Sequence, residues 1–265
     1  MAVVFDCSSS MAMFRKPYTT TSSVSFAFPP PSAVAGLLSA IIGLGNGASE
    51  DGARADYWSE LGGTQIALSI LNPTRWLRAA VNFWNVKQPQ NTPHIQVKHQ
   101  FVASPKYRIY VRRGIEARLK ECLERGGFVY TPYLGVAYAV AQIDYLGEFQ
   151  PEPVTEKEFE VNSVLPWLED DARPELDIMK TGGVFSELVP FYLTEERALG
   201  ESIKVVYSTK AGHPVDAKES QGANQKKGPR SGHPVYVKER GALNVSRCVV
   251  RDMAEIVAWF PEWRS

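Results

Sequence analysis

The chain has 265 residues, with 29 Lys or Arg against 29 Asp or Glu and therefore no formal net charge. That length buries a sizeable core as one large domain or two smaller ones, and the balanced charge excludes a protein coated with nucleic acid on all sides while permitting a local basic groove. Three widely spaced cysteines, Cys7, Cys122 and Cys248, exclude a disulfide framework or zinc knuckle and suit a reducing compartment. The N-terminus lacks a basic region ahead of an apolar one, and the longest apolar run, Ala33 to Leu44, is too short to cross a bilayer. A cytoplasmic protein without metal or cofactor is expected.

In chain order, Ala2 to Asp6 reads as a buried first strand. Phe14, Arg15, Lys16 and Tyr18 then set two cations between two rings, and Thr19 to Ser25, with Ser22 and Ser23, is mostly hydroxyls. Pro29, Pro30 and Pro31 stiffen the chain, and Ser32 suits an N-cap. From Ala33, the residues Val34, Leu37, Leu38, Ile41 and Ile42 recur at helical spacing, with Gly36, Ser39, Ala40 and Gly43 opposite them. Glycine inside a helix costs about 1 kcal/mol relative to Ala, so a close neighbour is expected there, either a flat structural one or a functional one.

A helical piece near Tyr57, Trp58 and Leu61 precedes a strand at Gln65 to Leu71 and a strand or strand edge at Arg75 to Trp84. Lys87 to Ser104 is polar but alternates through Ile95, Val97 and Phe101, which suits an extended hairpin. In a strand over Lys106 to Arg112, Lys106, Arg108, Tyr110 and Arg112 share one face; Tyr107, Ile109 and Val111 share the other. Ile115, Leu119, Cys122 and Leu123 form an amphipathic helix closed by Gly126 and Gly127. Tyr130 to Gly135 leads a second small helix, and Ala141 to Phe149 returns as a strand. The resulting order is that of an α+β, ferredoxin-like (RRM-like) domain over residues 1–150.

Composition turns acidic and proline-bearing near Gln150 to Lys157, the expected boundary of a smaller β-rich domain over 151–265. Strands are expected at Glu160 to Leu165, Val184 to Leu193 and Ser202 to Tyr207. The run at 211–219 nearly recurs at 231–239 around Gly-His-Pro-Val, enclosing a basic insert at Gln221 to Arg230. This duplication reads as a hairpin with a basic tip. The last stretch, Cys248 to Trp263, packs back onto the body.

Catalytic signals are sparse. His94, His99, His213 and His233 are the only histidines, and none has metal-ligand spacing. Met179-Lys-Thr-Gly-Gly-Val lacks the spacing of a phosphate-binding loop and reads as a turn. Phe14 to Tyr18 and Lys106 to Tyr110 interleave cations with rings, the mixture by which single-stranded RNA is stacked and neutralised. For the second run, with Lys106 and Arg108, a strand with one wet face explains the pattern equally well.

Residues 13 to 45 carry a likeness as well: Phe-Arg-Lys-Pro, a Thr/Ser run, then Pro-Pro-x-Ala-x-x-Gly-Leu-Leu-x-Ala-Ile-x-Gly. With Tyr130 to Gly147, this resembles the Cas-five family of CRISPR-associated proteins, of the repeat-associated mysterious protein superfamily. In look it is closest to subtype I-B. The resemblance implies a subunit of a type I Cascade complex that holds the 5′ handle of the CRISPR RNA. It further implies contact with the backbone Cas-seven subunit, the large Cas-eight subunit and, through the complex, target DNA near the PAM.

A β-hairpin thumb would lie at about residues 85–104 with Lys87, Gln90, His94, Lys98 and His99 as RNA contacts. Few large apolar groups occur there, so its order is expected to come from partners. One branch of the family cuts repeat RNA with a Tyr/Lys/His set, and an endoribonuclease is the alternative. This chain looks closer to members that do not cut, and no catalytic residue is expected.

Overall fold

The computed structural model describes residues 1–19, 22–45, 55, 57–87, 89–91, 93–167, 173–208, 234–250 and 253–264. The chain is mixed and strand-rich. Its centre is a four-stranded antiparallel sheet in the spatial order Gln65–Ile70, Lys106–Arg112, Ala2–Ser8, Gln142–Phe149. Two helices connect these strands. Pro31–Ile42 lies between the first and second strands in sequence, and Glu116–Arg125 between the third and fourth.

The first helix starts at Pro31, whose fixed φ suits the first helical position, with Pro30 as the N-cap. Ser32 therefore falls inside the helix and caps nothing. Gly43 ends the helix at φ 79, and its N–H donates to the Ser39 carbonyl at 2.8 Å. Val34, Leu37, Leu38, Ile41 and Ile42 are buried as their spacing predicts. Gly36 differs from expectation: a Cβ there would meet nothing within 4 Å. A glycine that does need its lack of a side chain is Gly135, where a Cβ would sit 2.0 Å from the Met13 carbonyl oxygen. The Met13 N–H donates to the Leu134 carbonyl beside it. That close approach, with turns and a single Tyr133–Val140 bridge, replaces the small helix expected from Tyr130.

The long hairpin is formed by Arg75–Trp84 and His94–Ala103, paired in continuous antiparallel register from Arg75 opposite Ala103 to Trp84 opposite His94. It begins ten residues before the expected thumb, because Arg75–Trp84 is one of its two arms. Phe101 and Val102 at its base are buried, so the hairpin is anchored by its own chain.

Among the described residues, most of the later strands form three small sheets. Leu165–Trp167, Leu199–Ser208 and Val184–Leu193 make one, and the last of these packs against the first helix. Phe159–Val161, Val235–Glu239 and Glu175–Leu176 make the second. In the third, Glu152–Pro153 pairs with Val245–Val250, which pairs with Met253–Ala258. Cys248, Val250, Val257 and Trp259 bury against Ala2, Val4, Ala67 and Tyr110, covering the face of the central sheet opposite the helices. The segment read as a turn, Ile178–Thr181, is a short helix capped by Asp177. Both the basic insert and most of the Gly-His-Pro-Val duplication lie outside the described residues, apart from the strand Val235–Glu239. No helix among the described residues is long and apolar enough to cross a membrane.

Candidate nucleic-acid interface

Two cation–aromatic runs have different fates. Lys106–Arg112 is an inner strand of the central sheet, and its charged face is covered at Arg108 and Tyr110. Arg108 lies directly opposite Asp6. Its Nε and Nη2 donate to the two Asp6 oxygens at 2.7 and 3.2 Å, and its Nη1 donates to Glu255 Oε1 at 2.9 Å. Tyr110 donates to the other Glu255 oxygen. Burial pulls the Arg108 pKa down, but these carboxylates outweigh it and leave the pKa raised. Arg108 is thus an internal tie between Asp6 and Glu255, buried at 6% exposure. Lys106, half exposed, points its Nζ at Asp6 from 3.4 Å. Arg112 stacks over Trp259 at 4.1 Å, and burial, then Arg113, lowers its pKa to about 10.

The run Phe14 to Tyr18 is divided residue by residue. Phe14 is only 5% exposed and meets the Tyr107 ring edge-on at 6.1 Å, so its ring belongs to the core and cannot stack on a base. Lys16 is held by Glu187 Oε1 at 2.5 Å and lies over the Phe26 ring at 5.1 Å. Burial lowers its pKa, but the bond to Glu187 outweighs that and raises it. Arg15 and Tyr18 remain at the surface, Tyr18 with 70% exposure. Arg15 donates to the Thr19 carbonyl at 2.8 Å, which curls the loop.

Beyond this loop, Ser23 docks beside the hairpin. Its N–H donates to the Lys98 carbonyl at 2.9 Å, and its carbonyl accepts from the Gln100 N–H at 2.8 Å. Ser23 therefore forms an isolated parallel bridge to the hairpin strand opposite His99. Between them is a groove of about 490 Å³ lined by Ser22, Ser23, Val24, Arg78, Ala79, Ala80, Lys98, His99 and Gln100.

Alternation across the hairpin decides what each face offers. Trp76, Arg78, Ala80, Asn82 and Trp84 share a face with Val102, Gln100, Lys98, Gln96 and His94. Two cations, several amides and two exposed tryptophans thus lie on one ribbon, with alanine between them leaving room for a planar guest. Leu77, Val81, Phe83, Ile95, Val97, His99 and Phe101 take the other face. His99 is stacked between Phe83 at 5.5 Å and Phe101 at 5.7 Å, is 8% exposed, and has Nδ1 2.9 Å from the Val97 carbonyl. Its imidazole is a rung of an aromatic ladder, mostly enclosed by its neighbours. His94 sits near the tip with its ring edge-on to Trp84. Lys87 and Gln90 lie in the exposed tip.

The structure therefore brings Ser22, Ser23 and Lys98 together and adds Arg78, Gln100, Trp76 and Trp84, which motif reading missed. A charge signal could have found them: no Asp or Glu occurs between Glu60 and Glu116, while that span carries eight Lys or Arg. Among the described residues, neither Arg78 nor Lys98 has a carboxylate partner.

Comparison with known proteins adds the following. A family model described as CRISPR-associated protein (Cas_Cas5) matches residues 2–160. A chain of a CRISPR RNA-guided surveillance complex is similar in structure at 17% identity, covering 83% of this chain and 97% of that chain, with a TM-score of 0.50. A CRISPR protein from Archaeoglobus fulgidus aligns over 97% of this chain and 99% of that chain at 14% identity, with a TM-score of 0.49. No curated protein matches the chain.

Proposed function

The chain belongs to the family of CRISPR-associated proteins (Cas_Cas5), and on that premise we propose that it is a non-catalytic subunit of a CRISPR surveillance complex that caps the 5′ handle of the CRISPR RNA. The observation that carries this reading is the groove between the hydroxyl run and the hairpin. It places Arg78 and Lys98, which pair with no carboxylate among the described residues, beside Ser22 and Gln100 and between Trp76 and Trp84. Phosphates neutralised by cations and bases stacked on rings are the two sources of single-strand affinity. The exposed tip of the hairpin would reach between nucleotides as a thumb.

The order of the central sheet, with each helix returning to a strand one position removed, supports a ferredoxin-like first part to about residue 150. The β-rich second part would help to dock the backbone and large subunits. Three buried free thiols suit a reducing, cytoplasmic setting.

A non-catalytic role is supported by the geometry of Lys98 and His99. Adjacent strand residues point to opposite faces, so these two side chains do not converge on one phosphate, and His99 lies between phenyl rings. The test is to incubate the purified chain with labelled repeat RNA in EDTA. Salt-dependent binding without cleavage is expected. Cleavage at one site, abolished by Tyr18→Phe or Lys98→Ala, would make the protein an endoribonuclease instead.

A further inference from the structure

We propose that Glu187 is a positioning residue for the RNA-contacting loop, fastening Lys16 so that Arg15 and Tyr18 are presented beside the groove. The proposal rests on the RNA-binding reading above and adds a role for the C-terminal half within it.

The loop is a slight structure. Phe14–Arg15 pairs with Ser25–Phe26, and the Lys16 N–H donates to the Val24 carbonyl at 2.8 Å. A ribbon this short has no core of its own. Phe14 and Phe26 root its base in the main core, and the outer part, at Lys16 and Ser23, needs fixing from its two sides. One side is fixed by Ser23 on the hairpin strand. The other is fixed by Lys16, whose ammonium lies 2.5 Å from Glu187 Oε1 and over the Phe26 ring.

Glu187 is itself held. Its second oxygen accepts from the Tyr207 hydroxyl at 3.0 Å, and the Tyr207 ring packs edge-on against Phe28 at 5.3 Å. Burial, then Glu187, raises the Tyr207 pKa far above the ordinary phenol value, so the hydroxyl stays a donor. The carboxylate is thus anchored by the strands Val184–Leu193 and Leu199–Ser208 and reaches across to the N-terminal loop. A negative charge beside an RNA site works against binding unless it places something that binds. Lys16 has the charge to meet a phosphate, yet this ion pair withdraws it. Its net effect is to hold the loop, leaving Arg15 and Tyr18 outward.

The measurement uses the full chain, a labelled single-stranded RNA carrying the 5′ handle, and amide hydrogen exchange without RNA. Glu187→Gln should bind five- to tenfold more weakly with an unchanged salt slope, because no phosphate contact is lost. Exchange at the Lys16 amide, which donates to Val24, should speed up while the thermal midpoint stays near wild type. The charge-swapped pair, Lys16→Glu with Glu187→Lys, should return affinity to within twofold. Equal or tighter binding by Glu187→Gln, with a slope steeper by about 0.7, would mean that Glu187 merely neutralises Lys16, and the proposal would fall. Wild-type protein that binds no RNA would sink the functional reading alone. Unchanged exchange in Glu187→Gln would then sink the latch.

Discussion

Arg108 grips both oxygens of Asp6, 102 residues before it in the chain, and with its third donor nitrogen reaches Glu255 near the C-terminus. This tie joins the central sheet to the strand Met253–Ala258, which covers it. Removing one member of a buried ion cluster leaves its partners uncompensated, which costs about 3–5 kcal/mol. Arg108→Ala should lower the denaturant midpoint accordingly. Weakened RNA binding with an unchanged midpoint would return Arg108 to the interface.

Phe14 and Tyr18 separate core from contact within five residues. Phe14→Ala should destabilise by about 3–5 kcal/mol, as expected of a buried ring. Tyr18→Ala should leave the midpoint unchanged and cost about 1–3 kcal/mol of RNA affinity if the ring stacks on a base. Chemical denaturation and RNA titration of both variants decide this, and the reverse pattern would overturn the assignment.

Two glycines should respond with opposite signs. Gly36 has helical geometry and open space, so Gly36→Ala should stabilise by roughly 0.5–1 kcal/mol. At Gly135 the φ of 83 and the Met13 carbonyl both oppose a Cβ. Gly135→Ala should destabilise by at least about 1–3 kcal/mol. A stabilised Gly36→Ala that no longer assembles would reveal a partner pressed against that helix.

The thiols should be inert in the folded protein. Burial, then Glu255, pushes the Cys248 thiol up to about 12, and burial raises Cys7 further. Cys122 is also buried. Thiolate is the nucleophile, so iodoacetamide at neutral pH should label no cysteine until denaturant is added. Labelling of Cys7 under native conditions would show that the central sheet opens, and labelling of Cys248 that the strands covering it lift away.

The helices Pro31–Ile42 and Glu116–Arg125 and the four central strands were legible because their apolar periods are regular. The hairpin's first arm, Arg75–Trp84, reads in sequence only as a strand or strand edge and not as part of the thumb. The site was less so. Lys106–Arg112 and Phe14–Tyr18 look alike in sequence, yet a C-terminal strand supplies the carboxylate that buries Arg108, and nothing local to residue 108 announces Glu255. Equally, Arg78 is inconspicuous until register sets it across from Gln100 and beside Lys98. Gly135 reads as a turn residue, and its actual constraint comes from Met13, far away in the chain.

The most direct measurement is the salt dependence of handle-RNA binding by the double variant Arg78→Ala with Lys98→Ala. Neither side chain is buried or ion-paired to a described carboxylate, so folding should be unaffected. If both meet phosphates, affinity should fall and the slope of log K against log salt should flatten by about 1.4, from about 0.7 per single-strand phosphate contact. A folded double variant with wild-type affinity and slope would show that the RNA is held elsewhere.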